Sequence, residues 1–190
     1  MNAATEPKAV EPRLCSSVEW AAVTARLLER GAVVRLRVLG SSMLPAIRNG
    51  DWIQVAPLAG DPILAGTIVL YVRRDGTPII HRALSSRTTA EGSEWYIVSD
   101  SVPSAGEWVP EDCIYGCVLS LEREGAYVDL RGWRGRLYGR AVLLSWQSLQ
   151  IARHIAGFEW MYRAFRRLAY ALCLGRFSRC VVDHSRCSPL

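Results

Sequence analysis

Short apolar runs, each closed by turn residues, fill residues 32–130 and limit what this chain can become. They are AVVRLRVLG, DWIQVAPL, GTIVLYVRR, TPIIHRAL, EWYIVS, CIYGCVLSLERE and AYVDL. In the first, Val34, Leu36 and Val38 alternate with Arg35 and Arg37, the period of a strand with one buried face. Asp75-Gly76 between the third and fourth runs is a hairpin signal, and Glu124-Gly125 joins the last two. Residues 101–112 are polar and read as a loop. Seven short strands without intervening helical segments predict a mainly β domain, closed or coiled, rather than a β-α-β sheet.

Helical periodicity flanks this region. Residues 16–30 predict an amphipathic helix with Ser16 or Ser17 as its cap, Gly31 at its end, and Trp20, Val23, Leu27 and Leu28 on one face. From Leu137 onward a second helical region is interrupted near Gly157. In its later part Arg163, Arg166 and Arg167 oppose Trp160, Phe165, Leu168 and Leu172. Residues 131–179 hold ten arginines against one acid, Glu159, whereas residues 1–130 hold 12 basic and 16 acidic side chains. Two readings of the basic helices stand side by side. One is a helix lying on an anionic membrane surface; the other is a helical hairpin packed on the β-domain with a solvated arginine face. Nucleic acid is not expected, because the segment carries no recognised binding motif. Gln147, Gln150, Arg153, His154 and Glu159 break the apolar runs, so no spanning helix is expected there. The chain divides into a leader (1–15), a β-domain with its N-terminal helix (16–130), a basic helical segment (131–180) and a tail (181–190).

Composition narrows the chemistry. Lys8 is the only lysine among 23 basic residues. It lies between Pro7 and Pro12 in the leader, so a lysine base or Schiff-base lysine is excluded in practice. The six cysteines are Cys15, Cys113, Cys117, Cys173, Cys180 and Cys187. No secretory signal precedes them, and reduced thiols are expected. Cys180, His184 and Cys187 lack a fourth ligand at zinc spacing, so no metal is expected. Asp183-His184-Ser185 names three triad residue types, but sequence neighbours cannot form triad geometry. No phosphate loop or dinucleotide fingerprint is present, and no cofactor is expected.

One segment stands out as a reactive turn: Gly40-Ser41-Ser42-Met43-Leu44-Pro45, followed by Gly50-Asp51. A serine in a tight turn after a strand is exposed and rigidly held, and a preceding glycine lets backbone amides face a substrate carbonyl. This pattern resembles the nucleophile box of the signal peptidase I superfamily, which includes the self-cleaving repressors of the SOS response. Three further segments extend the resemblance over roughly residues 35–123. Gly66-Thr67-Ile68-Val69-Leu70-Tyr71 with Ile79-Ile80-His81-Arg82 resembles the family's second strand pair. Tyr96-Ile97-Val98-Ser99-Asp100 resembles its acidic box, and Gly116-Cys117-Val118 its late strand.

The resemblance implies a signal-peptidase-like or SOS-repressor-like coiled β-fold with an N-terminal helix and a C-terminal helical appendage. It implies Ser42 as nucleophile and His81 as general base, where many members have lysine. Histidine there is typical of the endoplasmic-reticulum and archaeal type, in agreement with the missing lysine. Asp100 matches the first acid of that type's third box. The family's second acid falls about six residues later, where this chain has Gly106 followed by Glu107, so the resemblance favours Asp100 to complete the set, with Glu107 as the alternative. Gly40, Ser41, Met43 and Arg82 are the residues expected on the substrate side, with Arg82 alternatively structural.

The implied activity is a serine endopeptidase that cuts a leader or signal peptide, or a preprotein, after small residues. The extended substrate would add as a strand. With no spanning anchor before Ser42, the expected location is cytoplasmic or peripheral on the inner face of the cell membrane. Two alternatives remain: a self-cleaving SOS-type regulator, for which residues 1–34 are too short to supply a helix-turn-helix domain, and a catalytically silent membrane- or nucleic-acid-binding module.

Overall fold

The computed structural model describes residues 17–102, 106–152 and 158–174. The expected leader and tail, the Gly157 break, Lys8, His154, and the Cys180, His184 and Cys187 set lie outside the described residues. The chain is mainly β. Helix α1 (Ser17–Glu29) is followed by β1 (Val34–Arg37), β2 (Trp52–Pro57), β3 (Ile68–Val72), β4 (Pro78–Thr89), β5 (Gly92–Val98), β6 (Gly106–Pro110), β7 (Ile114–Arg123) and β8 (Ala126–Asp129). Helices α2 (Trp133–Ala152) and α3 (Phe158–Cys173) complete the described fold.

All pairings are antiparallel, in the order β1, β2, β7, β3, β4, β5, β6. The long strand β7 pairs with β2 over Gly116–Glu122 and divides its remaining pairing between β3 and β8. That sharing, with bulges at Gln54/Val55, Leu70/Tyr71 and Ala83/Ser85, coils the sheet rather than leaving it flat. The expected seven strands are present, and β6 is an eighth inside the supposed polar loop. Its sequence GEWVP offers only Trp108 and Val109 as apolar residues, too few for alternation to register.

The sheet separates two cores. One contains Leu36, Met43, Ile47, Ile53, Val55, Leu70, Val118 and Leu121, and is closed by Tyr138 and Val142 of α2 and by Ala169, Tyr170 and Cys173 of α3. The other, smaller core gathers Val69, Tyr71, Ala83, Trp95, Ile97 and Val109. The basic helical segment therefore shares the main core of the β-region. Two helix faces differ from their expected orientation. Helix α1 buries Ala21, Thr24, Ala25 and Leu28, while Val23 and Leu27 stay exposed. In α3 the arginines do not form one face, because Arg166 is buried beside Ala169 and Tyr170 whereas Trp160, Phe165, Leu168 and Leu172 face outward.

One close approach fixes α2 on the sheet. Gly66, just before β3, has φ +94°, and a Cβ there would lie 3.1 Å from the backbone of Gly139. Glycine at both positions lets the α2 backbone pack directly onto the turn.

Candidate active site

Ser42 sits in an exposed turn between β1 and β2, and its neighbours explain why the turn is rigid. Met43, Ala46 and Ile47 drop into the main core. Met43 is only 3% exposed, so the expected substrate-side role is corrected: it anchors the loop. Gly40 has φ +104°, a conformation that strains residues with a side chain, and its N–H donates to Asn49 Oδ1 at 3.0 Å. Ser41 and Gly40 both remain exposed beside the nucleophile position. The Ser41 carbonyl accepts the Leu44 N–H at 3.2 Å, and the Met43 carbonyl accepts the Ile47 N–H at 2.9 Å.

Asp51 closes the loop from below. One of its oxygens accepts the Arg48 N–H at 2.7 Å. Arg123 of β7 forks onto it with Nε at 2.9 Å and a terminal nitrogen at 2.6 Å. Arg123 also donates to the Ala46 carbonyl at 3.2 Å and to the Tyr170 hydroxyl of α3. Nothing in the local sequence marks Arg123 as the partner of Asp51.

The Ser42 carbonyl accepts the Ser101 N–H at 2.9 Å. This bond ties the turn to the segment that continues β5. The β4–β5 ladder ends with Val98 opposite Arg82, one residue from His81, and the chain bends at Asp100 and Ser101 just beyond it. The Ser42 turn is thus tied to the segment that follows β5, the strand paired with the His81 strand β4.

His81 is half-buried on β4, opposite Val69, and its ring lies 6.4 Å from that of Tyr71. Burial pushes its pKa below the ordinary histidine value. The carboxylates of Asp100 and Glu107 pull the other way without overcoming burial, and Arg73 adds to the depression. The imidazole is therefore neutral near pH 7, the form a general base needs.

The two acids have different surroundings. Asp100 is buried on the Arg82 side of the sheet. Arg82 grips it bidentately, Nε to Oδ1 at 2.9 Å and a terminal nitrogen to Oδ2 at 2.7 Å. Arg166 of α3 approaches Oδ2 at 2.9 Å and donates to the Asp100 backbone carbonyl. Burial raises the Asp100 pKa, but Arg166 and Arg82 together hold it below the ordinary carboxylate value. Arg82 is 2% exposed and also donates to the Gly66 carbonyl at 2.6 Å, with the Tyr138 ring against its guanidinium. Arg82 is thereby corrected from a substrate contact to a structural one. Both Asp100 oxygens serve arginines, and among the described contacts neither Asp100 nor Glu107 hydrogen-bonds His81; Asp100 acts on the imidazole through its charge, more strongly than Glu107 does.

Glu107 occupies the other face. Register pairs Ala83 with Ile97 and Ile97 with Glu107, which puts Glu107 on the face of Ala83 and His81. Its Oε1 accepts the Tyr71 hydroxyl at 2.5 Å, and Arg73 donates to both oxygens at 2.6–3.2 Å. Burial raises its pKa, yet the Arg73 and Tyr71 hydrogen bonds and the Arg73 and His81 charges hold it below the usual value. Tyr71 is pushed far up by burial and by Glu107.

Gly106 explains the one-residue offset. It pairs with Val98 on the Arg82 face, and a Cβ there would meet the Tyr96 ring at 2.4 Å and Val98 at 2.7 Å. An acid at 106 would clash and face the wrong side; one residue later it faces His81. Tyr71 and Arg73 were missed in the sequence. The ladder pairs Tyr71 with Ile79 and Val69 with His81, whereas a two-residue Asp75-Gly76 turn would pair Tyr71 with Ile80 and Leu70 with His81, so the turn motif gave the hairpin but not its register.

A cavity of about 450 Å³ lies elsewhere, between the turn before β3 and α2, lined by Ile63, Leu64, Val118 and Leu143 among others. Ser42 and His81 do not line it. Among the described residues, no three His, Cys, Asp or Glu side chains gather as metal ligands. No protein-family model matches the chain, and no curated protein matches it either.

Proposed function

We propose that this chain is a serine endopeptidase of the signal-peptidase type, with Ser42 as nucleophile and His81 as general base. Glu107 is the acid on the imidazole's side, in place of the initially favoured Asp100. The observation that supports the reading is the bond from Ser101 N–H to the Ser42 carbonyl, which ties a buttressed serine turn to the segment following β5, the neighbour of the strand that bears a neutral histidine.

In this reading His81 takes the Ser42 hydroxyl proton as the oxygen attacks a peptide carbonyl. The Ser42 backbone amide, with Ser41 beside it, faces the developing oxyanion. Imidazolium then returns the proton to the leaving amine, and a water repeats the sequence on the acyl-enzyme. Glu107 stabilises the imidazolium electrostatically. Strand β1, which leads into the Ser42 turn, ends the sheet and pairs only with β2 along the described path. Its free edge suits an extended peptide added as a strand, with small residues before the cut bond.

The test is turnover of a peptide carrying Ala-x-Ala before the scissile bond by the purified full chain and by Ser42→Ala. Loss in the variant supports the reading. Equal turnover by both proteins removes Ser42 from the mechanism.

A further inference from the structure

Among the described residues, nothing covers the outer face of α3. Its inner face is spent: Arg166 reaches Asp100, and Ala169, Tyr170 and Cys173 enter the main core. At helical spacing around the opposite side stand Trp160 at 76% exposure, Phe165 at 45%, Leu168 at 59% and Leu172 at 71%, with exposed Ala164 and Ala171 between them. No charged residue interrupts this arc, and Arg163 and Arg167 flank it.

We propose that this arc of α3 docks on an anionic lipid bilayer, with the helix axis in the plane of the interface. Charge selects the occupant. Helices α2 and α3 together carry six arginines and a single acid, Glu159. A second copy would bring the same positive charge to the contact, whereas an anionic leaflet brings the opposite sign. The side chains suit an interface as well: an aromatic pair and two leucines enter the acyl boundary, and arginines reach the headgroups. No helix among the described residues is long and apolar enough to cross a membrane, so the arc lies on the bilayer rather than spanning it.

The inner face of the same helix supports the Ser42 turn from two sides. Tyr170 accepts from Arg123, which holds Asp51 and the Ala46 carbonyl, and Arg166 holds Asp100, whose neighbour Ser101 bonds Ser42. Docking through the outer face therefore leaves that support intact and sets the serine turn in a fixed relation to the bilayer.

The experiment is co-sedimentation of the full chain with vesicles of phosphatidylcholine alone and of phosphatidylcholine with phosphatidylglycerol in equal parts, over a salt series. It needs no peptidase activity, so its outcome is independent of the proposed function. Binding to the anionic vesicles only, weakened by salt, is expected. Arg167→Glu should weaken it about fivefold or more, and Leu168→Glu or Leu172→Glu at least about tenfold. Circular dichroism confirms that these surface variants fold, and Val33→Glu, an exposed apolar position outside the helices, should bind as wild type does. Three results overturn the proposal: no vesicle binding by the folded wild type, binding insensitive to the Leu168 and Leu172 changes, or concentration-dependent self-association abolished by those changes without vesicle binding.

Discussion

His81 and Arg82 are adjacent on β4 and serve opposite sides of the sheet. The imidazole of His81 faces the smaller core with Tyr71, while the guanidinium of Arg82 is locked on Asp100 in front of α2 and α3. Strand alternation thus separates the proposed chemistry from the ionic cluster that fixes the architecture.

Asp100→Asn should be mainly a stability change. It leaves Arg82 and Arg166 buried without their shared carboxylate. Breaking a buried pair of this kind costs about 3–5 kcal/mol. Urea unfolding followed by circular dichroism would report it, and an unchanged midpoint would contradict the ionic role.

Glu107→Gln should behave in the opposite way. Glu107 is half-buried, keeps hydrogen-bonding capacity as glutamine, and lies on the His81 face. The unfolding midpoint should move little, while kcat on the Ala-x-Ala peptide falls by about 100-fold or more. If kcat stays at the wild-type value, Glu107 has no part in the reaction.

The pH profile carries a definite sign. Because burial depresses His81 below 6.5, the base stays neutral at pH values where free histidine is half protonated. The acid limb of kcat/KM should therefore have an apparent pKa below 6.5, with activity lost as pH falls through it. Arg73→Gln removes a positive charge that depresses His81 and releases Glu107. Its acid limb should move to higher pH; movement to lower pH would refute the assignment.

Gly106→Asp should destabilise the fold by about 1–3 kcal/mol, because Tyr96 and Val98 occupy the space of the new Cβ. Combined with Glu107→Gln it should restore no activity, since its carboxylate faces the Arg82 side. Thermal melting and peptide turnover, measured together, would show either failure.

Much of this arrangement could be read in advance from particular residues. Alternation in Val34–Val38 and the Asp75-Gly76 turn located strands and a hairpin, though not the hairpin's register. Ser42 and His81 stood out through the resemblance of their segments to the signal peptidase boxes, since turn chemistry and strand position alone would have left them an ordinary turn serine and strand histidine. The rest depended on contacts made far along the chain. Helix periodicity cannot tell which arc faces inward when an arginine has a buried counter-ion, so Arg166 read as solvated. Strand β6 was hidden because its inward residues are a glutamate and a valine. The choice between Asp100 and Glu107 required knowing which face each residue joins, and Gly106 gave no hint of that until the Tyr96 ring was in place.

The bonds from α3 also bear on timing. A ribosome releases Ser42, His81 and Glu107 before it releases Arg166 and Tyr170. Until then, Asp100 holds only Arg82, and Arg123 lacks the Tyr170 hydroxyl that steadies its grip on Asp51 and Ala46. A nascent chain therefore presents its nucleophile on an unfinished support. On the peptidase reading, the protein gains its cutting power late, when the helix proposed to meet the bilayer has been made.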